Sequence, residues 1–353
     1  MASEEAVRHA FRTQAVACEQ LGSPFTARLC TLADERLTSD NPVGAIILSW
    51  PGDPSPGADS VPLRFAGALH ALVLSDLDLD LVSAYPPHTT DDETLWTAID
   101  RACSLHSAFI LERLKSAPQT NEVRRSAALL PGFLTISSLF QKPLVLSEVG
   151  ASAGLNLQWD RYAYRLGDRT WALQPSSVTM TPEWRGSVPP VVSVEVASRA
   201  ACDLNPLDPA LDEDRLRLLS YVWADQTDRL ERIRQAIAIA AAHHQTVDRA
   251  DAVDWLGHRL SHVHEGTTHV IYHSIAWQYL PPQLREKGEA LIAAAGERAT
   301  ANAPVARLQM EADEQKEGAA LILQVWPSGE KHLIGRADFH GRWVDWLGWP
   351  GKS

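Results

Sequence analysis

Apolar positions fall at helical spacing through residues 1 to about 37, with Ser3-Glu4-Glu5 as a cap ahead of Ala6, Val7, Ala10 and Phe11. Asp40-Asn41-Pro42 and the proline-rich stretch from Pro51 to Pro62 then break the pattern. It resumes over Leu63 to Leu74 and over Glu93 to Leu114, ending near Pro118. Between these runs Leu77-Asp78-Leu79-Asp80-Leu81 alternates over too few positions to fix its state, and its charges are expected on a solvated face. Residues 1–120 therefore read as a mainly helical domain.

From Asn121 the period changes to apolar strands separated by helices, the signature of an α/β protein with a parallel sheet. Strands are predicted at Leu144 to Glu148, at a run ending in Cys202-Asp203, at Thr246-Val247, at Thr268 to His273, at Arg307 to Glu311, at Ala320 to Trp326 and around Arg342 to Leu347. Helices fit between them at Leu155 onward, Glu213 to Val222, Thr227 to Ala242 and Pro282 to Arg298. An insertion over about 159–190, with alternating Tyr162, Tyr164 and Leu166 followed by Thr170 to Leu173, predicts a hairpin that caps a site. The expected architecture is a helical cap domain, 1–120, and a Rossmann-like domain, 121–353, with helices on both faces of its sheet.

Composition narrows the partners. A formal net charge of -12 over 353 residues disfavours a nucleic-acid backbone or an anionic membrane as the main partner. Cys18, Cys30, Cys103 and Cys202 form no CxxC pair, so neither a zinc site nor a disulfide framework is expected, and a reducing cytoplasm fits. The first residues lack the basic start and apolar core of a signal peptide. His243-His244, His262 and His264 have no third ligand at metal spacing, and no GxSxG elbow occurs. No feature of the pattern bears on the oligomeric state.

The densest chemical signal is Glu148-Val149-Gly150-Ala151-Ser152-Ala153-Gly154-Leu155-Asn156-Leu157, directly after the apolar run Leu144 to Leu146. A strand ending in an acid, followed by a turn of small side chains, lets backbone amides approach a cofactor closely. A dinucleotide fingerprint needs glycines where Ser152 and Leu155 stand, which weakens a nicotinamide oxidoreductase reading, and a P-loop needs a lysine that is missing. What remains resembles the first motif of Rossmann-like S-adenosylmethionine-dependent methyltransferases. A strand-to-helix turn without a ligand is the plainer alternative.

In an open parallel sheet ligands lie outside the carboxyl ends of the strands, and three further strand ends carry candidate chemistry. Asp203, in Cys202-Asp203-Leu204-Asn205-Pro206, is placed to accept from a ribose diol or to close an Asx turn. Asp251, beside Ala252, is placed to accept from an adenine amino group or to cap the helix Val253 to Leu260. His273 opens the cluster Ser274, Trp277, Gln278 and Tyr279 at the usual substrate position, where it serves as a general base or as a hydrogen-bonded structural residue.

These segments, with Gln119-Thr120-Asn121-Glu122-Val123-Arg124-Arg125-Ser126, EVGASAGLNL, CDLNP at 202–206 and HSIAWQYL at 273–280, resemble domain-of-unknown-function family 2332, uncharacterised bacterial proteins, nearly end to end. That family resembles methyltransferases in fold. The resemblance implies S-adenosylmethionine contacts at Glu148, Gly150, Gly154, Asp203 and Asp251, which extend over the same loops to Ser152, Asn156 and Ala252. Asn121 and Glu122 are expected to open the helix before the first strand. Ser152 departs from a glycine common in methyltransferase loops, and the insertion before Asp203 departs from a short crossover.

The expected activity is methyl transfer from S-adenosylmethionine to a small molecule, with His273 as base, Ser274, Trp277, Gln278 and Tyr279 shaping the substrate pocket, and no metal. The alternative is a non-catalytic protein of the same fold that binds a nucleoside metabolite or a protein partner.

Overall fold

A computed structural model describes residues 2–315 and 317–350. The chain divides into two compact units, Met1–Thr120 with Leu211–Arg234, and Asn121–Ala210 with Gln235–Ser353. Residues 211–234, which the sequence pattern assigns to the second domain, belong to the first unit.

The first unit opens with α1 (Glu4–Gln20), α2 (Pro24–Arg36), α3 (Pro42–Leu48), α4 (Val61–Leu74), α5 (Leu79–Ala84), α6 (Asp92–Leu105) and α7 (Ser107–Leu114). Side-chain caps start most of them: Ser3, Ser23, Asn41, Asp78 and Asp91 each accept an amide from the first turn, and prolines preset the first turns of α2 and α3. α1 buries Val7, Ala10, Phe11, Gln14 and Cys18, one stripe of the helix. The short alternating run resolves as α5, and the expected solvated face is only half right. Asp80 is exposed, but Asp78 is buried, where it caps α5 and pairs with Arg101 at 2.6 Å and His106 at 3.2 Å.

The second unit begins at α8 (Arg125–Phe140), a helix buried on nearly every side, which feeds β1 (Leu144–Val149). β2 (Ala163–Leu166), β3 (Arg169–Trp171), β4 (Thr179–Met180) and β5 (Glu183–Gly186) make the insertion, and β6 (Val196–Asp203) follows. β2 and β3 form the predicted hairpin, with Tyr164 opposite Trp171, but β5 leaves it and pairs parallel with the edge of the large sheet. Next come α9 (Asp212–Ser220), part of the helical unit, and α10 (Thr227–Ala242), within which the unit boundary falls. β7 (Asp248–Arg249), α11 (Ala252–Leu260), β8 (Thr268–Ser274), α12 (Pro282–Glu297), β9 (Val305–Glu311), β10 (Ala319–Trp326), β11 (Lys331–Ala337) and β12 (Trp343–Trp346) complete the chain.

The large sheet runs β5-β12-β11-β10-β9-β8-β1-β6-β7. Its β7-β6-β1-β8-β9 part is all parallel, and β10, β11 and β12 turn back antiparallel. This is an α/β architecture in which chain order reverses across β1, with β6 on one side and β8 on the other. The third parallel strand lies two residues later than Thr246-Val247, where β7 pairs with Cys202 and Asp203. β11 was not anticipated, because His332, Gly335 and Arg336 interrupt its apolar run. α8 packs so tightly on β9 that a Cβ on Gly132 would lie 2.5 Å from Leu308.

Candidate functional site

All six residues of β1 are buried, yet its last turn of sequence carries Ser147 and Glu148. Glu148 is 2 % exposed, and among the described residues its carboxyl takes one hydrogen bond, from Tyr272 Oη on β8 at 3.1 Å. Burial drives its pKa up from 4.5 to about 8 and nearby Asp203 adds to this, while Tyr272 and Arg125 oppose it. A carboxyl that stays protonated at neutral pH therefore sits at the carboxyl end of the central strand.

The loop after it is built on left-handed backbone: φ is +70 at Gly150, +55 at Ser152 and +69 at Gly154. Glycine is required at 150, because Ala276 Cβ lies 2.5 Å from where a Cβ on it would stand. The loops after β1 and β8 thus touch at the topological switch point. Ser152 occupies its left-handed position without glycine because the Asp203 carboxylate accepts its amide at 2.8 Å.

Most amides of this loop are held within the protein. Gly150 and Ala151 donate to Cys202 O, Gly154 to Ala151 O, and Leu155 to Asn121 Oδ1 at 2.9 Å. Residues 151–160 are buried throughout. Asn156 is consumed by the fold, accepting from Ser126 Oγ at 2.7 Å and donating to Glu122 O at 3.2 Å. Asn121 and Glu122 precede α8 rather than open it, and Asn121 caps the small-residue loop instead. Hydroxyls of the insertion tie its first strand to the same segment, Tyr162 to Leu155 O and Tyr164 to Trp159 O, both at 2.6 Å.

The two later acids divide between roles. Asp203 reaches the loop, one oxygen accepting from Ser152 and the other from Asn205 N at 2.9 Å, so the Asx turn and the contact with the loop coexist. Asp251 is an N-cap: its Oδ1 accepts from Val253 at 2.9 Å and Asp254 at 3.2 Å, with Ala252 as the first residue of α11.

His273 is wholly buried and both ring nitrogens are engaged. Nδ1 lies 2.7 Å from Glu311 Oε1, and Nε2 accepts from Arg307, whose Nη2 is 3.1 Å away. The ring stacks on Trp277 with centroids 4.9 Å apart, and Arg307 sits over the same indole. Burial lowers the His273 pKa, with the Arg307 charge adding to this against Glu311. A general base needs a free lone pair within reach of substrate, and in this arrangement both nitrogens of His273, expected as the base, are taken by Glu311 and Arg307.

Glu311 is the group that sequence reasoning passed over. It accepts the amides of Ala276 at 3.0 Å and Trp277 at 3.1 Å as well as the His273 proton. Burial alone would raise its pKa, but these donors hold it below the usual carboxylate range. Its position at the end of a predicted strand was the available signal. The residues expected to shape a substrate pocket separate accordingly. Ser274 is buried and its carbonyl accepts from Arg125 at 3.2 Å; Trp277 packs on Gly288; Gln278 Oε1 accepts from Ala312 N at 3.2 Å; Tyr279 is exposed.

A buried carboxyl, a small-residue loop and a second carboxylate converge at the switch point of an α/β sheet, the place where such sheets bind ligands. The chain belongs to the family of uncharacterised proteins conserved in bacteria, DUF2332, which matches residues 8–346. No curated protein and no solved structure matches it significantly. No described helix is long and apolar enough to cross a membrane, and no described cluster of His, Cys, Asp or Glu can hold a metal ion.

Proposed function

We propose that the strand tips around the β1/β8 switch point bind an adenosyl ligand of the S-adenosylmethionine type, and that the reaction is methyl transfer to a small molecule. The observation that carries this reading is the bracketing of the Gly150–Gly154 loop by two carboxyl groups from adjacent strand tips, Glu148 and Asp203.

The residues fit such a group in part. Glu148 has a single hydrogen-bond donor among the described residues, which suits a ligand amino group, and each Asp203 oxygen keeps acceptor capacity for a sugar hydroxyl. The loop offers shape and close approach rather than free amides. When bound, the sulfonium would supply both the methyl group and its own leaving group. The protein's own part is to orient the acceptor and exclude water, with Glu311 fixing the loop that follows β8. Since His273 has no lone pair to offer, acceptors that need no protein base, such as thiolates, carboxylates or amines already deprotonated in water, suit the site.

Native mass spectrometry after mixing with S-adenosylhomocysteine tests the binding half: a one-to-one adduct is expected, and its absence at millimolar ligand refutes the reading. A panel of such acceptors with methyl-labelled cofactor tests turnover. Binding without turnover would favour the second reading, a non-catalytic nucleoside-binding protein, for which the engagement of both His273 nitrogens is the specific support.

A further inference from the structure

Near the amino end of β8 lies a second polar cluster, which reaches β1 at Ser147. A cavity of about 20 Å³ is lined by Leu260, His264, His269, Arg298 and Val305 among others, room for one small occupant. His269 stands at the start of β8 and is 4 % exposed. Its Nε2 lies 2.8 Å from Ser147 Oγ, and the same Oγ accepts from Arg259 Nε at 3.1 Å. With the oxygen accepting from a guanidinium, we assign the Ser147 hydrogen to Nε2, which puts the proton of the neutral ring on Nδ1. No described group accepts from that Nδ1.

The surroundings are short of negative charge. Among the described residues neither Arg259 nor Arg298 forms a salt bridge; Arg298 donates only to the carbonyls of Ala294 and Leu260. Arg259 Nη2 and His264 Nε2 are both buried without a hydrogen-bond partner. His264 packs edge-on against His269 with ring centroids 4.9 Å apart. Burial depresses both histidine pKa values, and each is pushed lower by Arg259 and by a neighbouring histidine, His269 falling to about 3. No acidic residue lines the cavity; Asp248 is the carboxylate that acts on Arg259 and offsets this field.

We infer that this cavity is a binding site for a single small monovalent anion such as a halide, held by His269 Nδ1–H in the positive field of Arg298 on the cavity wall and of nearby Arg259, whose buried Nη2 has no partner. Water would satisfy the donors but not the charge. The anion bridges the end of α11, the end of α12 and the start of β8, so it acts as a clamp on the sheet.

Crystals grown in bromide, with data collected at the bromine absorption edge, test the inference on the wild-type protein. An anomalous peak within hydrogen-bond distance of His269 Nδ1 is expected; water density without anomalous signal, or a side chain filling the cavity, overturns it. In solution, replacing sodium gluconate by sodium chloride at constant ionic strength is expected to raise Tm by about 2 °C in a saturable way. His269→Gln, whose Oε1 keeps an acceptor for the Ser147 hydroxyl but which removes Nδ1–H, is expected to abolish that chloride effect while the gluconate Tm stays measurable. A chloride shift that persists in this variant overturns the assignment.

Discussion

Replacing Glu148 by Gln should make the protein more stable as pH rises, and the size of the effect follows from where the carboxyl sits. Its folded pKa of about 8 lies above the ordinary 4.5, so between those values the native state holds a proton that the unfolded chain has released. Stability then falls as pH increases, because the unfolded state becomes the better acid. Over the full window the loss is about 5 kcal/mol, at about 1.4 kcal/mol per pH unit, and between pH 5 and pH 8 it is about 3.5 kcal/mol. Glutamine keeps the acceptor for Tyr272 Oη at 3.1 Å and cannot ionise, but its NH2 group enters the same buried site at a cost of about 1–2 kcal/mol. The variant should therefore be slightly less stable than wild type at pH 5 and more stable by about 2 kcal/mol at pH 8. Urea denaturation followed by tryptophan fluorescence at pH 5, 6, 7 and 8 and fixed ionic strength measures the difference at each pH. A difference between the two proteins that does not change with pH would refute the argument that Glu148 is held neutral by burial.

Acid should act through different groups. His70 and His269 are buried with pKa values lowered to about 4 and about 3, so each stabilises the fold above pH 6.5 and loses about 2 kcal/mol on acidification to pH 5; replacing either by Gln should flatten that limb of the wild-type curve. Gly150→Ala should destabilise by about 2–4 kcal/mol, since it combines a φ of +70 with a Cβ 2.5 Å from Ala276, and thermal denaturation checks it. Glu311→Ala should cost about 3 kcal/mol and expose residues 274–280 to proteolysis, because it strips the acceptor from the Ala276 and Trp277 amides and from His273; a variant with unaltered cleavage would show that the loop is held by other contacts.

Much of this architecture was legible because local and global signals agree. The helical spacing of Val7, Ala10 and Phe11, the uninterrupted apolar run of β1 and the Asp251 cap each specify one state without help from distant residues. Where the pattern misled, tertiary context decided. Asp78 looks like a surface acid, yet it is buried because Arg101 and His106 reach it from the next helix. β5 reads as part of a hairpin, but its partner is β12, separated from it by more than half of the unit's chain. The candidate site divides the same way. The Gly150–Gly154 loop and Asp203 were visible as a motif, since their backbone conformations demand small residues and an acceptor. His273 was visible as a residue but not as a role, because Arg307 and Glu311, which occupy its two nitrogens, arrive from β9 and no local spacing announces them.

The central claim is that carboxyl groups at the tips of β1 and β6 flank an adenosyl ligand, and calorimetric titration of wild type and Asp203→Asn with S-adenosylhomocysteine tests it most directly. One-to-one binding by the wild type, weakened at least about tenfold in the variant at equal thermal stability, is the predicted result. Absence of heat at millimolar ligand, or equal affinity in the two proteins, would contradict it.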